Sequence, residues 1–231
     1  MPGTPRDRAR AQTMSEIVRI GRQHLATEGA AALSLRAVAR DLGVVSSAVY
    51  RYVKSRDELL TLLVVDGYDE LGDAVDAAVG AVADGDYIGR QAAVGRAVRA
   101  WGLAEPATYA LLFGSPVPGY EAPAERTIGP GTRVVRALVT LWSDAYAAGR
   151  LAPPEVTVTS PGLLAGFATA REELGVPVPD GVIAAGVFGW AALFGCISFE
   201  IFGQYGSDGL GDPAALFEHH LELLAHAVGL T

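Results

Sequence analysis

The 231-residue chain has no asparagine, one lysine (Lys54) and one cysteine (Cys196). A single cysteine excludes an intrachain disulfide framework and fits a reducing cytosol. Arg, Ala and Gly have GC-rich codons, whereas Lys and Asn have AT-rich ones, so the bias points to a high-GC bacterial source. The opening residues MPGTPRDRARAQTMS contain no apolar run and do not read as a secretory signal. No strand-like alternation of useful length occurs, and no HExxH, P-loop or GxGxxG pattern is found. Disulfide-stapled, secreted and β-rich classes are thereby set aside, and neither a cofactor nor a metal site is expected.

What the chain does have is helix signal. Half of its residues are hydrophobic, enough for a substantial core in one or two domains. Apolar periodicity predicts helices over 12–28, 35–42, 46–53, 56–80, 87–104, 106–113, 131–148, 161–174, 181–202 and 213–228. Ser34, Ser55, Ser160, Asp180 and Asp212 sit where N-caps belong, with Pro161 and Pro213 at first helical positions. The fold class is therefore all-α. Two Pro- and Gly-rich stretches, 114–131 and 149–161, read as surface connections, the first long enough for a lid.

Charge is unevenly placed. Residues 1–60 hold ten Arg or Lys against six Asp or Glu, a net +4; the remaining residues hold eight against twenty, a net −12. A basic amino-terminal segment on an acidic body points to a polyanion at one end only. Residues 1–11 read as a disordered basic arm that either touches phosphates or the minor groove through Arg6, Arg8 and Arg10 or is an inert solvated tail.

Residues 34–59, SLRAVARDLGVVSSAVYRYVKSRDEL, have the layout of a helix-turn-helix followed by a capped helix. Leu35, Val38, Ala39 and Leu42 make an inward stripe, while Arg36 and Arg40 point out. Gly43 supplies the left-handed residue that ends the helix, and Val44 is expected to plug the turn. Val45, Val49 and Val53 are expected inward, opposite Ser46, Ser47, Tyr50, Arg51 and Lys54. The small Ser46, Ser47 and Ala48 permit close approach to base edges, and the serine hydroxyls bond to bases or phosphates. Tyr50, Tyr52, Lys54 and Arg56 suit phosphate oxygens along the groove wall. Ser55 and Glu58 form the ends of a capping box that starts the next helix.

Residues 12–60 resemble the DNA-binding domain of the tetracycline-repressor (TetR) family of bacterial transcriptional regulators. The matching pieces are Gly29 closing the first helix, LSLRAVARDLGV at 33–44, AVYRYV at 48–53 and SRDELL at 55–60. The chain departs from the family at Val45, where Ser or Thr is frequent, and at Tyr52, Val53 and Arg56, where His, Phe and Lys are common. WGLAEPATYALLFGSPVPGY at 101–120 and WAALFGCISFEIFG at 190–203 resemble the ligand-binding and dimerisation domain of a subgroup, here assigned to 61–231.

The resemblance implies a cytoplasmic homodimer that binds a near-palindromic double-stranded operator and is released by a small-molecule effector. Two recognition helices in a dimer must lie roughly 34 Å apart, or a multiple of that, to meet successive major-groove faces. The helix over 56–80 is expected to serve both domains, Leu59, Leu63 and Val64 packing in one and Tyr68, Leu71 and Val75 in the other. Candidate effector-binding residues are Trp101, Tyr109, Phe113, Trp142, Tyr146, Phe167, Trp190 and Phe194, an aromatic, charge-poor set that favours a mainly apolar ligand. Arg99, Glu105, Arg136 and Glu200 are candidate polar anchors. The helices over 181–202 and 213–228 are expected at the dimer interface, the latter through Leu216, Leu223, Leu224 and Val228.

Two rival readings remain. His219, Glu222 and His226 share a helix face, as a metal-dependent enzyme or metalloregulator requires. Residues 181–199, GVIAAGVFGWAALFGCISF, approach the length of a membrane span, but Asp180 and Glu200 bound them closely and no Lys or Arg flanks them. A central or dimer-forming helix is the better reading of that stretch, with no membrane contact expected.

Overall fold

A computed structural model of the chain describes residues 4–153, 155, 157–206, 208 and 210–231. The described residues form helices and short connections, with one isolated antiparallel bridge between Leu151 and Leu230. The helices are α1 (Pro5–Glu28), α2 (Leu35–Asp41), α3 (Ser46–Val49), α4 (Arg56–Gly80), α5 (Tyr87–Ala104), α6 (Pro106–Phe113), α7 (Ala124–Gly131), α8 (Arg133–Ala147), α9 (Pro161–Leu174), α10 (Asp180–Ile201) and α11 (Pro213–Val228).

The chain divides into two compact units: Met1–Glu70 with Glu105–Gly131, and Leu71–Ala104 with Thr132–Thr231. α4 contributes its first part to one unit and its last turns to the other. A division at residue 60, expected from the sequence, is thus displaced. The chain also returns to the first unit through α6, α7 and the connection between them.

The first unit is built on Ile17, Ile20 and Leu25 of α1, Val38 of α2, Val49 of α3 and Leu59, Leu60 and Leu63 of α4, all buried. Gly21 sets the closeness of α1 and α4, since a Cβ there would lie 3.3 Å from Leu59 and Leu63. Arg22 then ties α1 to α4 through Asp66 and Glu70, each at 2.8 Å. The returning segment covers this core with Leu111, Val117 and Tyr120, and Tyr120 Oη lies 3.1 Å from the buried Thr61 hydroxyl. Expected as an irregular connection, residues 114–131 therefore include a helix, α7. Its Pro130 and flanking glycines mask it from propensity reading, but Glu125 favours its first turn and Thr127 bonds back to the Pro123 carbonyl.

The second unit packs α5, α8, α10 and α11 around Val94, Val98, Leu138, Leu193, Ile197, Phe217 and Leu221. The small residues of α10 permit this packing: a Cβ on Gly186 would lie 2.9 Å from the Trp142 ring, and one on Gly189 would lie 2.5 Å from Val228. Two bidentate pairs bolt α5 to its neighbours, Arg99 to Glu200 on α10 (2.7 and 2.6 Å) and Arg96 to Glu218 on α11 (2.8 and 2.6 Å). Arg99 and Glu200 are engaged with each other.

α10 is long and apolar enough to cross a membrane, with a mean hydropathy of 2.0 in its most apolar window, but the central helix of a soluble protein passes the same test. Within the second unit its Val182, Ala185, Gly186, Gly189, Leu193 and Ile197 are buried. Its start also differs from expectation: Pro179 is the cap and Asp180 lies within the first turn.

Candidate nucleic-acid interface and effector cavity

α2 opens at Ser34, whose side chain makes no capping bond, and closes at Gly43. Gly43 has φ +71°, and its N–H bonds the Arg40 carbonyl at 3.0 Å while the Val44 N–H reaches Ala39 at 3.0 Å. This paired closure needs a left-handed residue, which glycine adopts without penalty. The chain then turns into α3, which is four residues long rather than eight. Tyr50, Arg51 and Tyr52 form the turns that follow it.

Val49 and Val53 are buried, as their spacing predicts. Val45 is not: it is 71% exposed, and Val44 is 40% exposed. The reason is local geometry. Val45 occupies the extended N-cap position of α3, so its side chain leaves the helical face that carries Val49. Val44 closes the turn through its backbone rather than by burying its side chain.

Around these anchors lies a polar surface. Arg36, Ser47, Tyr50, Arg51 and Lys54 are exposed, and Ser46, Ala48 and Tyr52 are half-buried. Arg36, Arg51 and Lys54 make no ion pair among the described residues, so their charge is available to a ligand. Arg56 is turned inward instead: its Nη2 donates to the Ala30 carbonyl at 2.9 Å, and it lies 3.6 Å from Asp57. The start of α4 is held by the Glu58 N–H donating to Ser55 Oγ at 3.1 Å. The Glu58 carboxylate accepts from the Lys54 N–H at 2.6 Å, one residue before the cap, a shifted form of the capping box. This bond orders the backbone at Lys54 and leaves its ammonium group facing out.

A second brace was not apparent in the sequence. His24 of α1 is buried, and its Nε2 donates to Asp41 Oδ2 of α2 at 2.6 Å. That bond, followed by one from Arg40, holds the Asp41 carboxyl below the usual aspartate range. It fixes α2 against α1, and with it the approach of Arg36 and Arg40. A histidine and an aspartate seventeen positions apart on different helices leave no periodic trace.

The second unit contains a cavity of about 140 Å³ between α8, α9 and α10. Val139, Trp142, Leu174, Val178, Ile183 and Trp190 are among its walls, and Ser143 is the only residue lining it with a polar side chain outside the tryptophans. Trp142 is fixed by a buried hydrogen bond from Nε1 to Gln91 Oε1 of α5, at 2.7 Å. Of the eight aromatic candidates, Trp142 and Trp190 line this cavity. Trp101 and Phe167 are buried elsewhere in the same unit, Tyr146 is half-buried, and Phe194 stacks edge-on with Trp190 at 6.5 Å. Tyr109 and Phe113 belong to the first unit, where their rings lie 5.0 Å apart and Phe113 meets Tyr68. The aliphatic walls contributed by Val135, Val139, Val178 and Ile183 went unrecognised in the sequence because aliphatic side chains in apolar segments carry no distinctive signal.

On α11, His219 lies 3.6 Å from Glu222, while His226 Nδ1 meets the Glu222 carbonyl at 2.9 Å. No group of three or more His, Cys, Asp or Glu suited to a metal ion occurs among the described residues.

Comparison with known proteins agrees with this architecture. Residues 11–63 match the family described as bacterial regulatory proteins, tetR family, and residues 91–224 match the tetracyclin repressor-like C-terminal domain. The chain is 47% identical over 222 residues to the HTH-type transcriptional regulator Rv1816 of Mycobacterium tuberculosis and, equally, to Mb1846 of Mycobacterium bovis, covering 96% of this chain and 94% of each relative. Among solved structures, SCO4313 superposes with a TM-score of 0.75 at 36% identity, covering 96% of this chain and all of that one. A protein of unknown function from Rhodococcus sp. RHA1 shares the fold, with a TM-score of 0.69 at 20% identity over 92% of this chain and 93% of that one. The family and these named regulators act in transcription rather than catalysis. An all-α chain with an N-terminal helix-turn-helix unit and a C-terminal helical domain, it belongs to the TetR family of DNA-binding transcriptional regulators.

Proposed function

We propose that the protein is a cytoplasmic homodimeric repressor, released from a near-palindromic operator by a mainly apolar small molecule. The observation that carries the effector reading is the apolar cavity walled by valine, leucine, isoleucine and tryptophan. Such a lining rewards burial of apolar surface by about 25 cal/mol per Å² and penalises an unpaired charge.

The dimer reading rests on a different surface. Phe188, Ala191 and Phe199 share one face of α10 and are exposed, with Phe188 60% and Phe199 53% accessible. Leu223 of α11 is also exposed, at 52%, whereas Leu224 and Val228 turn into the core of their own unit. A second copy of the same surface is the natural cover for such a stripe. Two reading heads related by a two-fold axis recognise a palindrome, and a ligand that favours one dimer geometry shifts DNA affinity by its differential affinity for the two.

Phe188→Glu with Phe199→Glu tests the assembly. Light scattering is expected to give about twice 24.0 kDa for the natural chain and 24.0 kDa for the variant, with retained helicity and loss of tight operator binding. A natural chain that is monomeric while binding operator tightly overturns the reading. Titration of the operator complex with apolar compounds that raise the melting temperature tests release; persistent DNA binding by the ligand-saturated protein counts against it.

A further inference from the structure

The segment expected to be a disordered arm is helical from Pro5 onward. Thr4 caps α1 through a reciprocal box: the Asp7 N–H donates to Thr4 Oγ1 at 3.2 Å, and the Thr4 N–H donates to the Asp7 carboxylate at 3.0 Å. Pro5 supplies the first helical residue. These bonds order two turns of helix that lie before residue 11, where the correspondence with the family's DNA-binding domain begins.

The Arg10 guanidinium sits over the ring of Tyr52, 5.4 Å from its centroid. Tyr52 closes the turn after α3, so this contact places the start of α1 beside the recognition element. At about 100° per residue, Arg6 lies roughly 40° from Arg10 and one turn, or about 6 Å, farther along the same side. Arg8 lies roughly 160° away from Arg10, on the other side. Arg6, Arg8 and Arg10 are all exposed, and none has a carboxylate partner among the described residues.

We propose that the first two turns of α1 extend the DNA-binding surface, with Arg6 and Arg10 holding backbone phosphates next to those met by Tyr50, Arg51 and Lys54. The inference rests on the DNA-reading role of α2 and α3. An arginine stacked on an aromatic face keeps its in-plane N–H groups free for phosphate, and the stack holds it in place before DNA arrives. Because the helix is pre-ordered, the contact avoids the ordering cost that a disordered arm incurs.

Salt dependence separates this role from a purely internal one. Each phosphate contact contributes about 0.9 to the slope of log affinity against log salt. The full chain is titrated onto a fluorescently labelled duplex of arbitrary sequence between about 50 and 200 mM salt. Arg6→Ala with Arg10→Ala is expected to reduce the slope by about 1.8 per bound chain, and Lys54→Ala by about 0.9. Arg8→Ala, which also removes one charge, is expected to leave it unchanged. All four positions are solvent-exposed, and unaltered circular dichroism verifies folding. A reduced slope for Lys54→Ala but not for the Arg6/Arg10 pair overturns the inference and leaves the recognition surface intact. A slope change for Arg8→Ala about half that of the Arg6/Arg10 pair overturns it too, since a diffuse charge cloud then accounts for both. No change in any variant overturns the DNA-facing assignment itself.

Discussion

Gln91→Leu is expected to destabilise the second unit far more than its change in shape warrants. Gln91 and Trp142 are each 5% exposed, so their hydrogen bond of 2.7 Å is shielded from bulk solvent. Leucine nearly preserves side-chain volume but removes the acceptor. The indole N–H is a donor only and would be buried without a partner. An orphaned buried donor costs about 1–3 kcal/mol, and the leucine's own transfer from water offsets part of it. A net loss of about 2 kcal/mol lowers the melting temperature by roughly 4–8 °C for a chain of this size. Urea unfolding followed by circular dichroism, in a cycle with Trp142→Phe, isolates the pair. Once the indole N–H is gone, leucine at 91 is expected to cost close to nothing, giving a coupling above about 1 kcal/mol. Equal costs in the two backgrounds would refute the reasoning. The same variant unpins a cavity wall, so apolar ligands are expected to stabilise it less than the natural protein.

Two further outcomes follow from the first unit. Replacing Tyr50 and Lys54 together with Ala is expected to abolish operator binding in a gel shift at moderate salt while the thermal melt stays in place, because both side chains are exposed and support no core. Asp41→Asn tests the His24 brace: a carboxyl held below its usual range stabilises the fold above that range and loses its contribution as the pH falls through its lowered value. The natural chain is therefore expected to lose stability more steeply in acid than the asparagine variant, measured by melts across the carboxylate range; parallel profiles would remove the brace.

Much of this was legible in residue order, and the remainder failed for identifiable reasons. The three-four spacing of Leu35, Val38 and Ala39 is a local property, and so is the glycine that ends their helix; both appear as read. Spacing alone misassigned Val45, because a β-branched residue four positions before Val49 looks inward until it proves to be the extended N-cap, off the helical face that carries Val49. Periodicity reports which face of a helix is apolar but not which surface covers it. Tyr109 and Phe113 thus resembled pocket aromatics, although the chain carries them back to the first unit and seats Phe113 against Tyr68. Likewise, the polar Gln91 within an apolar face gave no hint that it would orient a tryptophan fifty-one positions away.

The four-residue length of α3 has a further consequence. A helix so short has no stability of its own, and it is held by Val49 and Val53 below it. The residues that support it and the residues that face outward are different sets. Substitution at the exposed Val45, Ser47, Tyr50 or Arg51 changes the outer surface without withdrawing anything from the core. On the proposed DNA-facing role of α3, operator preference can therefore drift by single steps at almost no folding cost.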